Sequence, residues 1–217
     1  MEIKLTSYGA TEEVTGSCHL LNIDGYRILV DCGMYQGSWD NYVKNWDGFL
    51  FDPKNIDAVI LTHAHLDHCG RLPKLYAKGY NGPIYATGAT IDLAKIVLED
   101  SYFITNEKAF RKKMPKMYRQ ADVNKTMQSF VPLNYYQKQD LNPDISFKLH
   151  NAAHILGSSI VEIKAGNKTI VFSGDIGSED MPLVKDIDII KQADYVICEG
   201  TYGDRIHHDT KTRDKEL

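Results

Sequence analysis

A cluster of histidines and a carboxylate directly after an apolar run constrains this chain more than any other feature. Residues 57–61 read D-A-V-I-L, which is typical of a buried strand, and residues 62–68 read T-H-A-H-L-D-H. The potential ligands in this run are His63, His65, Asp67 and His68. Imidazole and carboxylate are the ligands of catalytic zinc, whereas structural zinc sites depend on cysteine. The run therefore predicts a catalytic metal site, and a histidine-rich surface loop is the alternative.

Length and composition set the broad class of the protein. With 217 residues, of which 43% are hydrophobic, the chain is expected to bury one core, in an α/β arrangement. No apolar run approaches the ~20 residues that cross a bilayer, and the N-terminus lacks a signal-peptide pattern, so we expect a cytoplasmic protein without a membrane partner. The four cysteines show no C-x-x-C spacing, which fits reduced thiols. A net charge of -4 leaves the substrate open.

A predicted hairpin leads to a further carboxylate. Segments 18–23 and 26–30 flank Asp24-Gly25, a two-residue turn signal. The second strand ends at Asp31. This position favours a role in supporting a metal ligand, with a simple turn former as the alternative.

The second half of the chain repeats the pattern of an apolar strand followed by a potential ligand. Alternating apolar residues at 145–149 lead towards His154. Strands 159–165 and 168–172 are predicted to form a second hairpin, which delivers Asp175. A last strand, 195–198, leads to Glu199.

Six residues form the predicted ligand set: His63, His65, Asp67, His68, His154 and Asp175. One metal would take His63, His65 and His154, the other would take Asp67 and His68, and Asp175 would bridge them with its two oxygens. A hydroxide between the metals would be the nucleophile, and Asp67 could orient it or receive its proton. The other histidines are predicted to pack or lie at the surface. They are His19, His150, His207 and His208.

Between these strands the sequence predicts helices and one basic segment. Thr87 is a potential N-cap for a helix with apolar residues at helical spacing from Ile91 to Leu98. From about 102 to 136 basic residues crowd one segment, interleaved with Phe and Met. The segment is either a nucleic-acid contact or a solvated, partly helical excursion, and charge alone does not separate the two.

Taken in order, these motifs resemble those of the metallo-β-lactamase fold, an αβ/βα sandwich with a dinuclear zinc site. The residues that carry the resemblance are Asp31, the H-x-H-x-D-H run from His63 to His68, His154 and Asp175. Within that superfamily the chain is similar to the β-CASP RNA-processing nucleases, on the segments T-G-S-C (15–18), D-C-G (31–33), H-I-L-G-S (154–158) and E-G-T-Y-G-D-R (199–205). The resemblance implies two zinc ions, with manganese as another option, and an RNA substrate.

The resemblance also implies that part of the nuclease is missing. Glu199 would be the first β-CASP motif, which positions a histidine further along the chain, and a later histidine would complete the second metal site. Residues 1–203 would then be the N-terminal part of an incomplete metallo-β-lactamase domain, with a polar insertion at about 102–136, and 204–217 would begin the truncated β-CASP domain or a linker. The β-CASP domain and the C-terminal return to the lactamase fold would be absent.

Three functions remain open from the sequence. The leading hypothesis is a metal-dependent RNA nuclease that hydrolyses phosphodiester bonds through a metal-bound hydroxide. The first alternative is a small-molecule hydrolase of the same fold, acting on a thioester, lactone or lactam. The second is a non-catalytic metal-binding fragment that pairs with another chain, for which a homo-oligomer is one expected form.

Overall fold

Two β-sheets packed face to face form the centre of the molecule, and helices cover the outer side of the first sheet. The computed structural model describes residues 1–178 and 183–204. His207 and His208, which were predicted to pack or to lie at the surface, lie outside the described residues.

The first sheet has six strands in sequence order. They are β1 (Ile3–Ser7), β2 (His19–Ile23), β3 (Tyr26–Val30), β4 (Ala58–Ile60), β5 (Ile84–Thr87) and β6 (Phe130–Leu133). Strands β1 to β3 pair antiparallel, and β3 to β6 pair parallel. The predicted hairpin is confirmed, because Asp24 and Gly25 join β2 to β3 with positive φ angles of 47° and 91°.

The second sheet has five strands in the order β11-β10-β9-β8-β7. They are β7 (Gln139–Asn142), β8 (Ile145–Asn151), β9 (Ser159–Ala165), β10 (Lys168–Phe172) and β11 (Tyr195–Ile197). Neighbours from β7 to β10 pair antiparallel, and β10 pairs parallel with β11. The hairpin of β9 and β10 is confirmed at its predicted residues. Strand β7 was not predicted, because its residues are mostly polar and show no apolar alternation.

Alternation along the strands divides the apolar residues between two cores. Ile28 and Val30 of β3 point between the sheets, where they join Val161 and Ile163 of β9. Leu29, between them in sequence, points to the helices. The central strands of the first sheet are therefore buried on both faces, which explains their continuous apolar runs.

Five α-helices occur among the described residues: α1 (Trp39–Val43), α2 (Leu66–Cys69), α3 (Leu72–Ala77), α4 (Gly88–Arg111) and α5 (Gln120–Gln128). The predicted cap is confirmed, since the Thr87 side chain accepts a hydrogen bond from the amide of Thr90 at the start of α4. Segment 102–136 contains the second half of α4, α5 and β6, and β6 pairs with β5 at the edge of the first sheet. None of these helices combines the length and hydrophobicity of a membrane span.

Candidate metal centre

The predicted site residues lie at the carboxyl ends of strands from both sheets. Asp31 directly follows β3, His63 lies three residues after β4, and Asp175 lies three residues after β10. The two sheets are joined at this edge because the amide and hydroxyl of Ser159 both donate to the Thr62 carbonyl, at 2.9 and 3.0 Å. The link fixes the spacing between ligands that come from different sheets.

Four side chains converge at this edge. One ligand atom from each of His63, His65, His154 and Asp175 lies within 4.8 Å of the others. His65 Nδ1 is 3.0 Å from both His63 Nε2 and His154 Nε2. One Asp175 oxygen is 3.7 Å from His63 Nε2 and 3.6 Å from His154 Nε2. Three imidazole nitrogens and a carboxylate oxygen at this separation form a donor set that fits a zinc ion.

Asp175 also faces a fifth side chain. Its other oxygen, Oδ1, lies 3.1 Å from Nε2 of His68. One carboxylate therefore faces the three-histidine group with one oxygen and His68 with the other. A carboxylate placed in this way would be able to ligate one metal ion with each of its oxygens.

Asp31 orients His68 from behind. Its carboxylate is 1% exposed, and its Oδ2 lies 2.8 Å from His68 Nδ1. It also accepts hydrogen bonds from the amide and hydroxyl of Thr62 and from the Ser17 hydroxyl. In the cationic form that the two carboxylates favour, His68 Nε2 donates to Asp175; in the neutral form that keeps the Nδ1 proton on the side of Asp31, the Nε2 lone pair faces Asp175.

Thr62 orients His63 through its hydroxyl group. No role was predicted for Thr62 from the sequence. Its hydroxyl proton goes to Asp31, so Oγ1 accepts from Nδ1 of His63 at 3.1 Å. Nε2 of His63 is then unprotonated and faces the other ligands. The only signal in the sequence was the position of Thr62 between a strand and the first ligand.

Burial and charge set the protonation of the centre. Burial lowers the pKa of His63 well below its usual value, and the neighbouring His68, His65 and His154 lower it further. Burial also lowers the pKa of His68, but the Asp31 and Asp175 carboxylates outweigh it and raise that pKa to about 10. Burial raises the pKa of Asp175, and the contact with His68 more than offsets this, so the Asp175 pKa is lowered.

Close backbone packing holds the ligand loops. A Cβ on Gly33 would collide with the backbone of Asp67 in α2, and a Cβ on Gly177 would collide with the Ala153 carbonyl. The Ser158 hydroxyl accepts from the amide of His154 at 3.1 Å and fixes the loop that carries this ligand. Glycine and serine here position the ligands without contacting them, a role that spacing in the sequence did not reveal.

The sequence from 20 to 197 matches a family model described as the metallo-beta-lactamase superfamily domain. The chain belongs to the metallo-beta-lactamase superfamily. The fold agrees: the metallo-beta-lactamase fold protein YhfI of Bacillus subtilis superimposes with a TM-score of 0.50 at 20% identity, over 83% of this chain and 65% of that one.

Three relatives are similar to this chain at higher identity. Ribonuclease TTHA0252 of Thermus thermophilus is 42% identical over 99% of this chain and 47% of its own length. Transcription termination factor FttA of Methanosarcina mazei is 37% identical over 99% of this chain and 34% of its own. Integrator complex subunit 11 of Danio rerio is 34% identical over 100% of this chain and 37% of its own. The chain thus spans less than half the length of each of these relatives.

Four predicted site residues lie outside the converging group: His68 and Asp31, described above, and Asp67 and Glu199. Asp67 is in the first turn of α2, and its carboxylate is not among the four groups that lie within 4.8 Å. Glu199 follows β11 and accepts a hydrogen bond from the Ile176 amide, while its own amide donates to Ser173 Oγ. In the described structure Glu199 therefore ties the loop of Asp175 to the end of β11.

A cavity of about 400 Å³ opens beside the centre. Its wall includes Asp31, His68, Asp175 and Glu199, which brings three predicted site carboxylates to one space. Glu12 and Glu13 also line it, so the cavity is acidic unless a cation is bound.

Proposed function

We propose that residues 1–203 are the N-terminal, metal-binding part of an RNA nuclease of the β-CASP type, which hydrolyses phosphodiester bonds. The observation that carries the proposal is the convergence of His63, His65, His154 and Asp175. Support for RNA as the substrate comes from the relative named a ribonuclease, at 42% identity over 99% of this chain.

The ligands divide into two proposed metal sites. His63, His65 and His154, with one oxygen of Asp175, would hold the first zinc ion. His68 and Asp67, with the other oxygen of Asp175, would hold the second. Nitrogen-rich ligation favours zinc, and manganese remains the alternative for the more carboxylate-rich second site. Bound metal would supply positive charge to the phosphate and lower the pKa of a water molecule towards neutrality.

The residues of the chain itself prepare this chemistry. Asp31 and Thr62 hold the imidazoles of His68 and His63 with Nε2 towards the site. We propose that Asp67, on the first turn of α2, receives the proton of the attacking water. Glu199 would position a leaving-group histidine, and its carboxylate, which accepts from the Ile176 amide, lies against the loop of Asp175.

The cavity beside the centre is the proposed entry for the scissile phosphate. Because Glu12, Glu13 and Asp175 line it, a phosphate would be repelled from the metal-free cavity. Entry therefore depends on loading of the metal sites. The proposed compartment is the cytoplasm, which the three buried free thiols of Cys18, Cys32 and Cys69 support.

Metal content and RNA cleavage together test the proposal. The purified chain would be stripped with a chelator, reloaded with zinc or manganese, and analysed for bound metal and for cleavage of a labelled RNA. We expect stoichiometric metal in the wild type and its loss in His63→Ala. His150→Ala is the matched control, because His150 lies on β8 and bonds Glu162 at 2.7 Å instead of joining the ligand group.

The outcomes separate the competing functions. Absence of stoichiometric metal from the wild type would refute the site. Metal binding with hydrolysis of a thioester or lactone, and with RNA left intact, would favour a small-molecule hydrolase. Metal binding without any hydrolysis, together with an obligate oligomer in a size measurement, would favour a non-catalytic module.

A further inference from the structure

The basic segment noted in the sequence forms a defined surface around the C-terminal end of α4. Between 107 and 119 the chain has six Lys or Arg residues and one Glu, although its overall net charge is -4. All six cations are exposed, and they are Lys108, Arg111, Lys112, Lys113, Lys116 and Arg119. We call this segment together with α1 the α4-end surface.

Aromatic rings lie among these cations. Trp39 and Tyr42 of α1 stack with centroids 5.8 Å apart and an interplanar angle of 30°. Lys112 Nζ lies 5.2 Å from the Trp39 ring centroid, and Lys108 Nζ lies 4.4 Å from that of Tyr42. Trp39 remains 42% exposed and Phe110 is 86% exposed. The surface therefore presents open aromatic area with ammonium groups beside it.

The surface is held in place by contacts that a solvated excursion would lack. Tyr42 Oη lies 3.3 Å from Thr105 Oγ1, which joins α1 to the buried side of α4. Trp46 Nε1 donates to the Pro115 carbonyl at 2.7 Å and fixes the segment after α4. The aromatic rings and the lysines are thus presented in a fixed arrangement.

Few of the cations are neutralised by the protein. Arg111 pairs with Glu107 at 2.5 Å, and the Asp122 carboxylate accepts from the Arg119 amide at 2.8 Å. Within the described residues, Lys108, Lys112, Lys113 and Lys116 form no ion pair with a carboxylate within 4.0 Å. Unpaired ammonium groups next to open aromatic rings match the phosphates and bases of a single-stranded nucleic acid, whereas a folded duplex would hide its bases from the rings.

We propose that the α4-end surface docks single-stranded RNA outside the metal centre. The inference rests on the proposed function, because it assigns this surface to the same substrate. The geometry adds a length requirement. The start of α4 bonds the loop of His154, since Thr87 Oγ1 donates to the Gly157 carbonyl at 2.7 Å. The 24 residues of α4 then extend about 36 Å to the surface, so a short RNA cannot occupy both places.

Binding measured without metal tests this surface separately from cleavage. The purified chain, in the presence of a chelator, would be titrated into fluorescein-labelled oligouridine of about 30 nucleotides and the change in anisotropy recorded, with an oligomer of about 6 nucleotides for comparison. The variants are Trp39→Ala and the pair Lys108→Gln with Lys112→Gln. The matched control is Lys78→Gln with Lys95→Gln, which removes two exposed lysines at other places. Circular dichroism checks that each variant is folded.

We expect Trp39→Ala to raise the Kd for the long oligomer about tenfold, since one stacked base is lost. The lysine pair is expected to raise it as well and to lower the slope of log K against log salt by about 1.4, because two phosphate contacts on a single strand are removed. The control pair is expected to change the Kd and the salt slope much less than the surface pair does.

Three results would overturn the docking surface. The first is an unchanged Kd and salt slope in both surface variants, and the second is an equal loss in the control pair. The third is equally effective competition by duplex RNA or by polyglutamate, which would point to a general anion or an acidic protein. The binding measurement needs no metal. If the surface variants weaken RNA binding as expected but the metal-loaded wild type cleaves no RNA, the result counts against the proposed function alone. If the wild type cleaves RNA and the surface variants bind RNA as tightly as the wild type does, the result counts against the docking surface alone.

Discussion

Replacing Asp31 by asparagine isolates the part of the centre that orients His68. The change keeps the shape of the side chain and one acceptor oxygen. Asp31 has a φ of 60°, and asparagine tolerates this left-handed conformation as well as aspartate does. The backbone is therefore not the source of any effect, and the perturbation is confined to the hydrogen bonds of the carboxylate.

Those hydrogen bonds predict the direction of the change. The carboxylate accepts from Thr62, from Ser17 and from His68 Nδ1, the last at 2.8 Å. In the variant an NH₂ group can face His68 Nδ1, which must then accept instead of donate. The imidazole proton moves to Nε2, which faces Asp175 at 3.1 Å and can no longer bind a metal.

The magnitude follows from this change of tautomer. Loss of the group that orients a metal-binding histidine lowers metal affinity by about 10- to 100-fold, or about 1.4 to 2.7 kcal/mol. We expect this loss at the site of His68, whereas the site of His63, His65 and His154 keeps most of its affinity. The mismatch of buried donors is also expected to lower the unfolding free energy of the metal-free protein by about 1 to 3 kcal/mol.

Zinc titration against a chromophoric chelator measures both affinities, and urea unfolding in the presence of a chelator measures the stability. Asp57→Asn is the matched control, because Asp57 is exposed and its Oδ2 accepts from the Arg27 amide at 2.7 Å, away from the centre. Equal zinc affinities for Asp31→Asn and wild type would refute the orienting role of Asp31. A uniform loss at both sites would refute its assignment to His68.

Three further predictions concern residues around the centre. Burial lowers the pKa of Lys74 to about 8 from its usual value of 10.5. Between these two pH values the unfolded chain binds more protons than the folded one. The unfolding free energy of the wild type should therefore rise with pH over this range relative to that of Lys74→Met. Parallel urea curves at several pH values test this, and a constant difference would contradict it. Gly33→Ala should lower the unfolding free energy by about 3 kcal/mol or more, since its Cβ meets the backbone of Asp67, and a thermal midpoint equal to wild type would contradict the close approach. Ser158→Ala should weaken zinc binding about tenfold, because the amide of His154 loses its acceptor, and an unchanged titration would show that the loop is held otherwise.

Local patterns in the sequence were sufficient for the elements that present the ligands. Strand β9, strand β10 and the hairpin that they form were predicted at their observed residues, because alternation and turn chemistry act over short distances. The N-cap of α4 was predicted for the same reason, but the length of this helix was not. Ile96 and Phe103 are apolar but exposed, so they lie outside the buried face of α4 and obscure its helical period in the sequence.

The contacts that support the metal centre could not be predicted from local patterns in the sequence. Ser17, Thr62 and Ser158 resemble ordinary loop residues, and their roles depend on partners elsewhere in the chain. Gly33 is required only because α2 packs directly against it. Such contacts depend on how strands and loops approach in space, which spacing along the chain does not encode.

The sequence by itself determined the ligand types and their places after strands, because residue chemistry and strand alternation are local properties. Only the tertiary structure decided which ligands meet. It brought His154 and Asp175 to His63 and His65 by packing two sheets face to face, it turned the second oxygen of Asp175 towards His68, and it left the Asp67 carboxylate outside the converging group. The physical reason is that a metal site needs donor atoms a few ångströms apart, and sheet packing sets that distance between residues far apart in the chain.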